Sequence, residues 1–243
     1  MKIFYRLYLT IGILTIGSVS IFAQNKTIIN DKNAELRSVK NYHAINVSSG
    51  IDLYLSYGDE AAAVSASEIK YRDKIKTEVE NGVLKIWYDQ DLSNQIIFTN
   101  KRDLRAYVSY KNLDMLTASA GSDILVDGVI KSKSFSMKIS SGSDFKGNVE
   151  VSELTVDQSS GSDIKIGGKA TSVSIETSSG SDFNGFSLVV DICNAKSSSG
   201  SDISITVNKE LNAKASSGSD ITYKGNPSVT KSKSSGGSVN KRD

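Results

Sequence analysis

The amino-acid sequence predicts an all-β fold, a parallel β-helix (solenoid) with coils of about 19 residues and irregular N-terminal coils. Three observations predict it. A Gly-Ser-Asp triplet recurs six times, apolar and polar residues alternate between the triplets, and apolar residues recur at fixed distances from each glycine. The glycines, separated by 21, 19, 19, 20 and 18 residues, are Gly121, Gly142, Gly161, Gly180, Gly200 and Gly218.

The apolar residues of the repeats have a period of two, as in Phe135-Ser-Met137-Lys-Ile139, and this alternation predicts β-strands. One repeat cannot bury its own apolar side, whereas stacked repeats place equivalent residues in columns. Cys193 occupies a position that other repeats fill with Phe, Leu or Val, so we expect a buried hydrophobic side chain there rather than a reactive thiol. Two predicted columns are Ile124, Phe145, Ile164, Phe183, Ile203 and Ile221, and Phe135, Leu154, Val173, Cys193 and Leu211.

Residues 38–118 lack the regular repeat and are richer in large side chains. We expect irregular coils there that begin the same solenoid, followed by the regular repeats over 119–230. Residues 231–243 combine Lys and Arg with Ser and Gly, which predicts a polar C-terminal tail that blunts the open edge. The pieces predicted before the repeats are two strands in 42–57, an apolar piece at 61–66, one or two helical turns at 68–74, and strands at 83–88, 95–99 and 104–110.

The N-terminus has the layout of a secretory signal peptide over residues 1–23. Lys2 and Arg6 precede an apolar run that ends at Ala23, although an uncleaved membrane anchor is the alternative. Cleavage lowers Lys plus Arg from 29 to 27, against 27 Asp plus Glu, so the mature net charge is 0. We expect an exported chain (periplasm, outer-membrane surface or secreted) with a flexible segment at 24–37, no further transmembrane span, and no charge-driven binding of nucleic acid.

Several classes of site are disfavoured by composition. The chain has one cysteine, Cys193, and one histidine, His43. An internal disulfide is therefore excluded, and a zinc centre or a Ser/His/Asp triad would depend on single copies of its residues.

The segments now described resemble a known family. They are AINVSSGIDLYLSYGDE (44–60), TEVENGVLKIWYDQ (77–90), LRAYVSYKNLDMLTASAGSDI (104–124) and the Gly-Ser-Asp repeats that follow. Together they resemble exported bacterial proteins, common in the Bacteroidetes, of the "putative autotransporter adhesin, head GIN domain" family. The resemblance implies a right-handed β-helix over 38–230 and a cell-envelope location, and it brings no catalytic residues.

The aspartates of the repeats are the candidate site residues. They are Asp123, Asp144, Asp163, Asp182, Asp202 and Asp220. In register they form a row of like charges about 4.8 Å apart, which needs hydrogen bonds at the corners, protonation of some members, or bound cations. Gly and Ser at each corner favour a structural turn role, and a calcium ladder is the alternative metal site. Strand parity predicts that the aspartates point outward and the preceding serines inward.

Two functional classes stay open. We expect a non-enzymatic cell-envelope protein, an adhesin-like or structural binding scaffold, whose partner is a macromolecule or carbohydrate and which needs no cofactor. The alternative is a polysaccharide lyase or hydrolase on the same fold. Such catalysis uses carboxylates whose environments give them different pKa values, and a uniform row of aspartates does not provide them. His43, Asp52, Asp59 and Glu60 are further candidates without a diagnostic spacing. A groove that combines Asp, Arg and aromatic side chains would favour the enzyme, uniform Ser/Thr/Lys faces would favour binding, and the oligomeric state stays open.

Overall fold

The computed structural model describes residues 31–90 and 102–243. The predicted signal peptide (1–23) and the predicted strand at 95–99 lie outside the described residues. The predicted fold is confirmed, because the described chain is a β-solenoid of about seven turns with a spacing of about 19 residues.

Strands dominate the described residues. The N-terminal elements are β1 (Glu35–Arg37), β2 (Ala44–Val47), β3 (Asp52–Tyr57), β4 (Ala61–Ser65), α1 (Ile69–Arg72), β5 (Ile75–Glu80), β6 (Val83–Tyr88), β7 (Arg105–Tyr110) and β8 (Met115–Ala118). The regular coils are β9 (Ile124–Ser140), β10 (Asp144–Ser159), β11 (Asp163–Thr177), β12 (Asp182–Ser197), β13 (Asp202–Ala215), β14 (Asp220–Lys224), β15 (Ser228–Lys233) and β16 (Ser238–Lys241).

Each regular coil from β9 to β13 pairs in parallel with the next along almost its whole length. The coil is therefore one long strand with local shifts of register, such as the shift between Lys165 and Gly167, rather than two or three separate strands. We call the stretches that follow the glycine corners the aspartate face. It comprises 123–126, 144–147, 163–166, 182–185, 202–205 and 220–223. We call the stretches that precede the next corner the hydroxyl face. It comprises 134–139, 153–158, 172–177, 192–197, 210–215 and 228–233.

The predicted core columns are confirmed. Phe145 pairs in register with Ile164, and Ile164 with Phe183, and all three are almost fully buried. Cys193 lies between Val173 and Leu211 with no exposed surface. Burial raises the pKa of its thiol to about 12, so it is an inert apolar side chain at neutral pH.

Each corner uses two successive residues in the left-handed backbone region. At one corner these are Ser160, with φ of 61°, and Gly161, with φ of 65°. The Gly161 N–H donates to the carbonyl of Ser179 at the next corner, with a distance of 3.0 Å, so the corners stack as regularly as the strands. Ser162 then points inward and its hydroxyl donates to the Ser159 carbonyl at 3.1 Å. The Ser-Gly-Ser-Asp sequence thus encodes one bend of the coil.

The irregular N-terminal coils belong to the same solenoid, but they do not follow chain order. Strand β3 lies between β7 and β9, and β2 lies between β6 and β8, with all four pairs parallel. The coil β6–β7 therefore stacks outside the earlier coil β2–β3. The chain then crosses back to form β8 on the other side of β2.

Antiparallel strands end the solenoid at this N-terminal side. Strand β5 pairs with β6, β4 with β7, and β1 with β4. The ion pair between Arg72 of α1 and Glu35 of β1, at 2.8 Å, ties the outermost strand down. The segment 24–37, predicted as flexible, therefore contains a paired strand at its described end.

The C-terminal residues form the last coil rather than a free tail, since β15 and β16 pair with β13 and β14. Lys231 and Lys233 stand in register with buried Ala213 and Ala215. Lys241 likewise follows Tyr223. Three core columns therefore end in a lysine. A further coil stacked on this end would bury those charges, so the lysines terminate the solenoid.

Candidate binding groove

A groove of about 590 Å³ runs along the aspartate face. Two rows of outward side chains line it, two and four positions after successive corner glycines. The first row is Asp52, Asp123, Asp144, Asp163 and Asp182, and the second row is Tyr54, Leu125, Lys146, Lys165 and Asn184. Buried apolar residues between the rows form its floor. The volume lies in the range of small-molecule sites.

The six predicted aspartates are all exposed, whereas the serines before them are fully buried, which confirms the parity prediction. Asp144 Oδ1 accepts a hydrogen bond from the backbone N–H of Asp163 at 3.1 Å, and Asp202 Oδ1 accepts one from Asp220 at 3.2 Å. These carboxylates therefore accept from the next coil rather than from their own turn. At the end of the row, the hydroxyl of Ser238 donates to Asp220.

The charges of the row are not equally compensated. Burial, followed by the neighbouring charges of Asp163 and Asp202, raises the pKa of Asp182 above its usual range. Burial and the charge of Asp144 also raise the pKa of Asp123, although a backbone hydrogen bond opposes them. Like charges in register therefore destabilise part of the row.

Calcium binding by the row stays a prediction. Over residues 31–90 and 102–243, no three His, Cys, Asp or Glu side chains are grouped closely enough to hold one metal ion. A structural turn role for these aspartates also stays a prediction, because the hydrogen bonds that Asp144 and Asp202 accept come from the next coil rather than from their own turn.

An aromatic and apolar patch begins the second row. The Tyr54 ring stacks on that of Tyr107 with centroids 5.2 Å apart. The Tyr107 hydroxyl donates to Asp31 Oδ2 at 2.7 Å, which fixes the lower ring. Leu125 follows Tyr54 in register and is 43% exposed. The result is a stacked, partly exposed ring beside an exposed aliphatic side chain.

Two lysines continue the second row. Lys146 and Lys165 are direct register neighbours, and neither makes an ion pair with a described residue. Four other lysines of the regular coils do have a carboxylate partner, as Lys131 has Glu150 at 3.0 Å. The groove therefore holds two ammonium groups whose charge no carboxylate neutralises at contact distance.

The other candidates from the sequence do not converge. His43 Nδ1 contacts Asp114 Oδ1 at 2.9 Å, Asp59 pairs with Lys111 at 3.1 Å, and Glu60 accepts from the Asn41 N–H at 2.7 Å. Of this set, only Asp52 lines the groove.

The hydroxyl face is uniform by contrast. Its central row is Ser136, Thr155, Ser174, Asn194, Asn212 and Thr230. Cross-coil ion pairs flank it, including Lys138–Asp157 at 3.5 Å and Lys196–Glu176 at 2.6 Å. Its regular pairing fits a structural wall, and the mixed chemistry lies on the aspartate face.

The second row of the groove was not predicted as a set. The available signal was the position four residues after each glycine, which gives Tyr54, Leu125, Lys146, Lys165 and Asn184. The family model described as "Putative auto-transporter adhesin, head GIN domain" matches residues 41–227. The chain belongs to this family. The match includes every residue that lines the groove.

Solved structures show the same fold as this head GIN domain chain. A "putative adhesin" from Bacteroides fragilis has a TM-score of 0.75 at 16% identity and covers 87% of this chain and 98% of its own. A "putative adhesin" from Parabacteroides distasonis has a TM-score of 0.69 at 17% identity, with 88% and 98% covered. A "putative lipid binding protein" from the same species has a TM-score of 0.66 at 21% identity, with 87% and 98% covered. A comparison with curated proteins found no match.

Family membership makes this an adhesin-like protein. Within the described part of the chain, no helix is long and apolar enough to cross a membrane.

Proposed function

We propose that this adhesin-like protein is exported to the cell envelope and binds a carbohydrate, without changing it chemically, in the groove of the aspartate face. The observation that carries the proposal is the partly exposed Tyr54 ring, stacked on Tyr107 and facing a row of carboxylates. Membership of the adhesin family supports a binding role.

The chemistry of the groove suits a sugar. A pyranose ring has an apolar C–H face and a rim of hydroxyl groups. Tyr54 and Leu125 offer apolar contact area, and the rigid stack on Tyr107 lowers the entropy lost on binding. The opposite row of carboxylates accepts hydrogen bonds from hydroxyl groups, and bonds to an ionised acceptor are stronger than neutral ones.

Hydrolysis or elimination is less well supported. Catalysis by two carboxylates requires one acid and one base in different environments. The six aspartates of the Gly-Ser-Asp repeats follow the same kind of corner and are all exposed. Asp123 and Asp182, whose pKa values are raised, are three coil spacings from each other, with Asp144 and Asp163 between them.

Export is supported by the N-terminal sequence, in which Lys2 and Arg6 precede an apolar run that ends at Ala23. The mass of the protein recovered from the envelope tests this. Loss of about 23 residues supports cleavage, and recovery of the full-length chain in the cytoplasm contradicts export.

The binding experiment uses residues 24–243 on an oligosaccharide array, followed by calorimetry with each hit. Tyr54→Ala should weaken binding by about 30-fold, the effect of removing a central aromatic contact. Tyr57→Ala is the matched control, because Tyr57 lies on the same strand, is 73% exposed and is outside the groove. Equal loss in both variants, or none in either, refutes the groove as the site. Cleaved products from the hits would support the enzyme instead.

A further inference from the structure

We infer that the groove selects an oligosaccharide with a single acidic group, a sugar carboxylate held between Lys146 and Lys165. This inference rests on the proposed carbohydrate-binding function and names the ligand class of that same groove. It excludes two neighbouring classes, neutral oligosaccharides and polyanions, as preferred ligands.

The two lysines are placed to receive an anion. They face the groove on adjacent coils, about 4.8 Å apart along the solenoid. Without a ligand the two ammonium groups repel each other, and a carboxylate with an oxygen for each would remove that repulsion. The lysines of the Lys131–Glu150 and Lys196–Glu176 pairs, by contrast, already contact a carboxylate.

The nearest carboxylates do not take this role. Asp144 and Asp163 are two residues before the lysines on the same strands and line the same groove, yet no ion pair joins them to Lys146 or Lys165. Asp144 instead accepts a hydrogen bond from the Asp163 backbone N–H. Neither aspartate forms an ion pair with these lysines, so the lysines keep their charge available to a ligand.

The positive charge of the groove extends over only two coils. Leu125 precedes the lysines in the second row and Asn184 follows them, and both are uncharged. The opposite row carries a carboxylate on every coil from Asp52 to Asp182. A ligand with acidic groups along its whole length would face that row and be repelled, whereas a single acidic group placed at the lysines would not.

The spacing of the coils sets a minimum ligand length. Lys146 is two strand spacings from Tyr54, or about 10 Å, and Lys165 is three spacings away, or about 14 Å. A single sugar ring cannot span that distance. The ligand therefore has at least one sugar on Tyr54 and Leu125 and a second, acidic sugar at the lysines.

The test compares ligands that differ in one charge. Di- to tetrasaccharides terminated by glucuronate, galacturonate or N-acetylneuraminate are titrated calorimetrically into the 24–243 chain, each as the free acid and as its methyl ester. The free acid should bind about tenfold more tightly at low salt, and the difference should shrink as salt rises. Heparin is the polyanion probe and should bind no more tightly than the esters.

Variants locate the effect. The double variant Lys146→Met/Lys165→Met should remove the difference in affinity between acid and ester. Lys131→Met is the control, because Lys131 is an exposed lysine outside the groove. All three lysines are on the surface, and an unchanged unfolding midpoint confirms that each variant folds.

The outcomes separate this inference from the function on which it rests. Equal affinity for acid and ester, a difference that survives the double variant, or tighter binding of heparin than of the acids overturns the single-acid inference, even where Tyr54→Ala still weakens binding. Failure of every acid and ester to bind in a Tyr54-dependent manner overturns both the carbohydrate-binding function and the inference.

Discussion

Replacing Asp182 by Asn tests whether the aspartate row carries unrelieved repulsion. Asp182 lies in register between Asp163 and Asp202, and its raised pKa shows that its ionised form is disfavoured. The described residues place no hydrogen-bond donor on this carboxylate, unlike those of Asp144 and Asp202. The substitution keeps the size of the side chain and removes one charge from the row.

The magnitude follows from the coil spacing. Two unit charges about 4.8 Å apart repel by about 0.9 kcal/mol in water, so two neighbours contribute about 1.7 kcal/mol. Screening at physiological salt reduces this to about 1 kcal/mol. For a domain of this size, each kcal/mol corresponds to about 2–4 °C in Tm. Asp182→Asn should therefore raise Tm by about 2–4 °C at pH 7 and by more at low salt.

The pH dependence has a defined sign. An acid whose folded pKa is raised holds its proton in the folded state to higher pH than in the unfolded state, so folding stability falls as pH rises through that window. Below the ordinary carboxyl range Asp182 is neutral in both states and resembles Asn. The stabilisation by Asp182→Asn should accordingly disappear when thermal unfolding is followed at about pH 2.5.

Asp191→Asn is the control on the same strand. The Lys209 ammonium, followed by the Asn208 amide, lowers the pKa of Asp191, so removing this charge should lower Tm at pH 7. A lower Tm for Asp182→Asn in calcium-free buffer would refute the repulsion argument. A wild-type Tm that rises in millimolar calcium, with the rise lost in Asp182→Asn, would establish the cation ladder instead. No shift of the wild-type midpoint would exclude it.

Three further outcomes are expected. A Cβ at Gly168 would lie 2.0 Å from a backbone oxygen, whereas a Cβ at Gly180 would meet nothing within 4 Å. In urea unfolding, Gly168→Ala should therefore abolish the cooperative transition. Gly180→Ala should lower the free energy of unfolding by about 1–2 kcal/mol, through its left-handed backbone alone. The thiol of Cys193 should react with Ellman's reagent only after unfolding, because it is fully buried with a pKa of about 12. Lys231→Leu/Lys233→Leu should produce larger species in sedimentation velocity, because it makes the terminal coil apolar.

Each of these has a result that contradicts it. Equal stability of the two alanine variants would mean that the close approach at Gly168 is relieved by movement of the backbone. Rapid labelling of Cys193 in the native protein would show that the core column opens locally. The conservative Lys231→Arg/Lys233→Arg variant is the control for the leucine substitutions. A sedimentation profile that the leucine substitutions leave unchanged would show that these lysines do not prevent association at the last coil.

The regular coils could be predicted from the sequence because their information is local and repeated. The positions of Ser162 and Asp163 relative to Gly161 determine that the serine is buried and the aspartate exposed. The same pattern of burial is found in every Gly-Ser-Asp repeat. The left-handed conformation of Ser160, the residue before Gly161, was not predicted because serine has no strong preference for that conformation.

The aromatic start of the groove could not be predicted because it depends on contacts between distant residues. Tyr54 stacks on Tyr107, and Leu53 pairs with both Ala106 and Ile124. Nothing in the local sequence indicates that the later coil β6–β7 stacks outside the earlier coil β2–β3. The ends differed from the prediction for the same reason. Lys231 has the composition of a tail residue, and only its register with Ala213 shows it to be part of a coil.

Because the lysines that end the core columns lie in the last coil alone, the number of coils before them can change without affecting how the solenoid ends. Side-chain and backbone contacts run almost entirely between adjacent coils, and the charged stop is confined to the last one. Duplication of an internal coil, such as the stretch from Asp163 to Ser181, would add one strand spacing of about 4.8 Å and one rung to each row of the groove. Neither end would change. Duplication of a single repeat in the gene thus lengthens the solenoid in small steps. Relatives of this chain can in this way acquire binding surfaces of different length while keeping the same two ends.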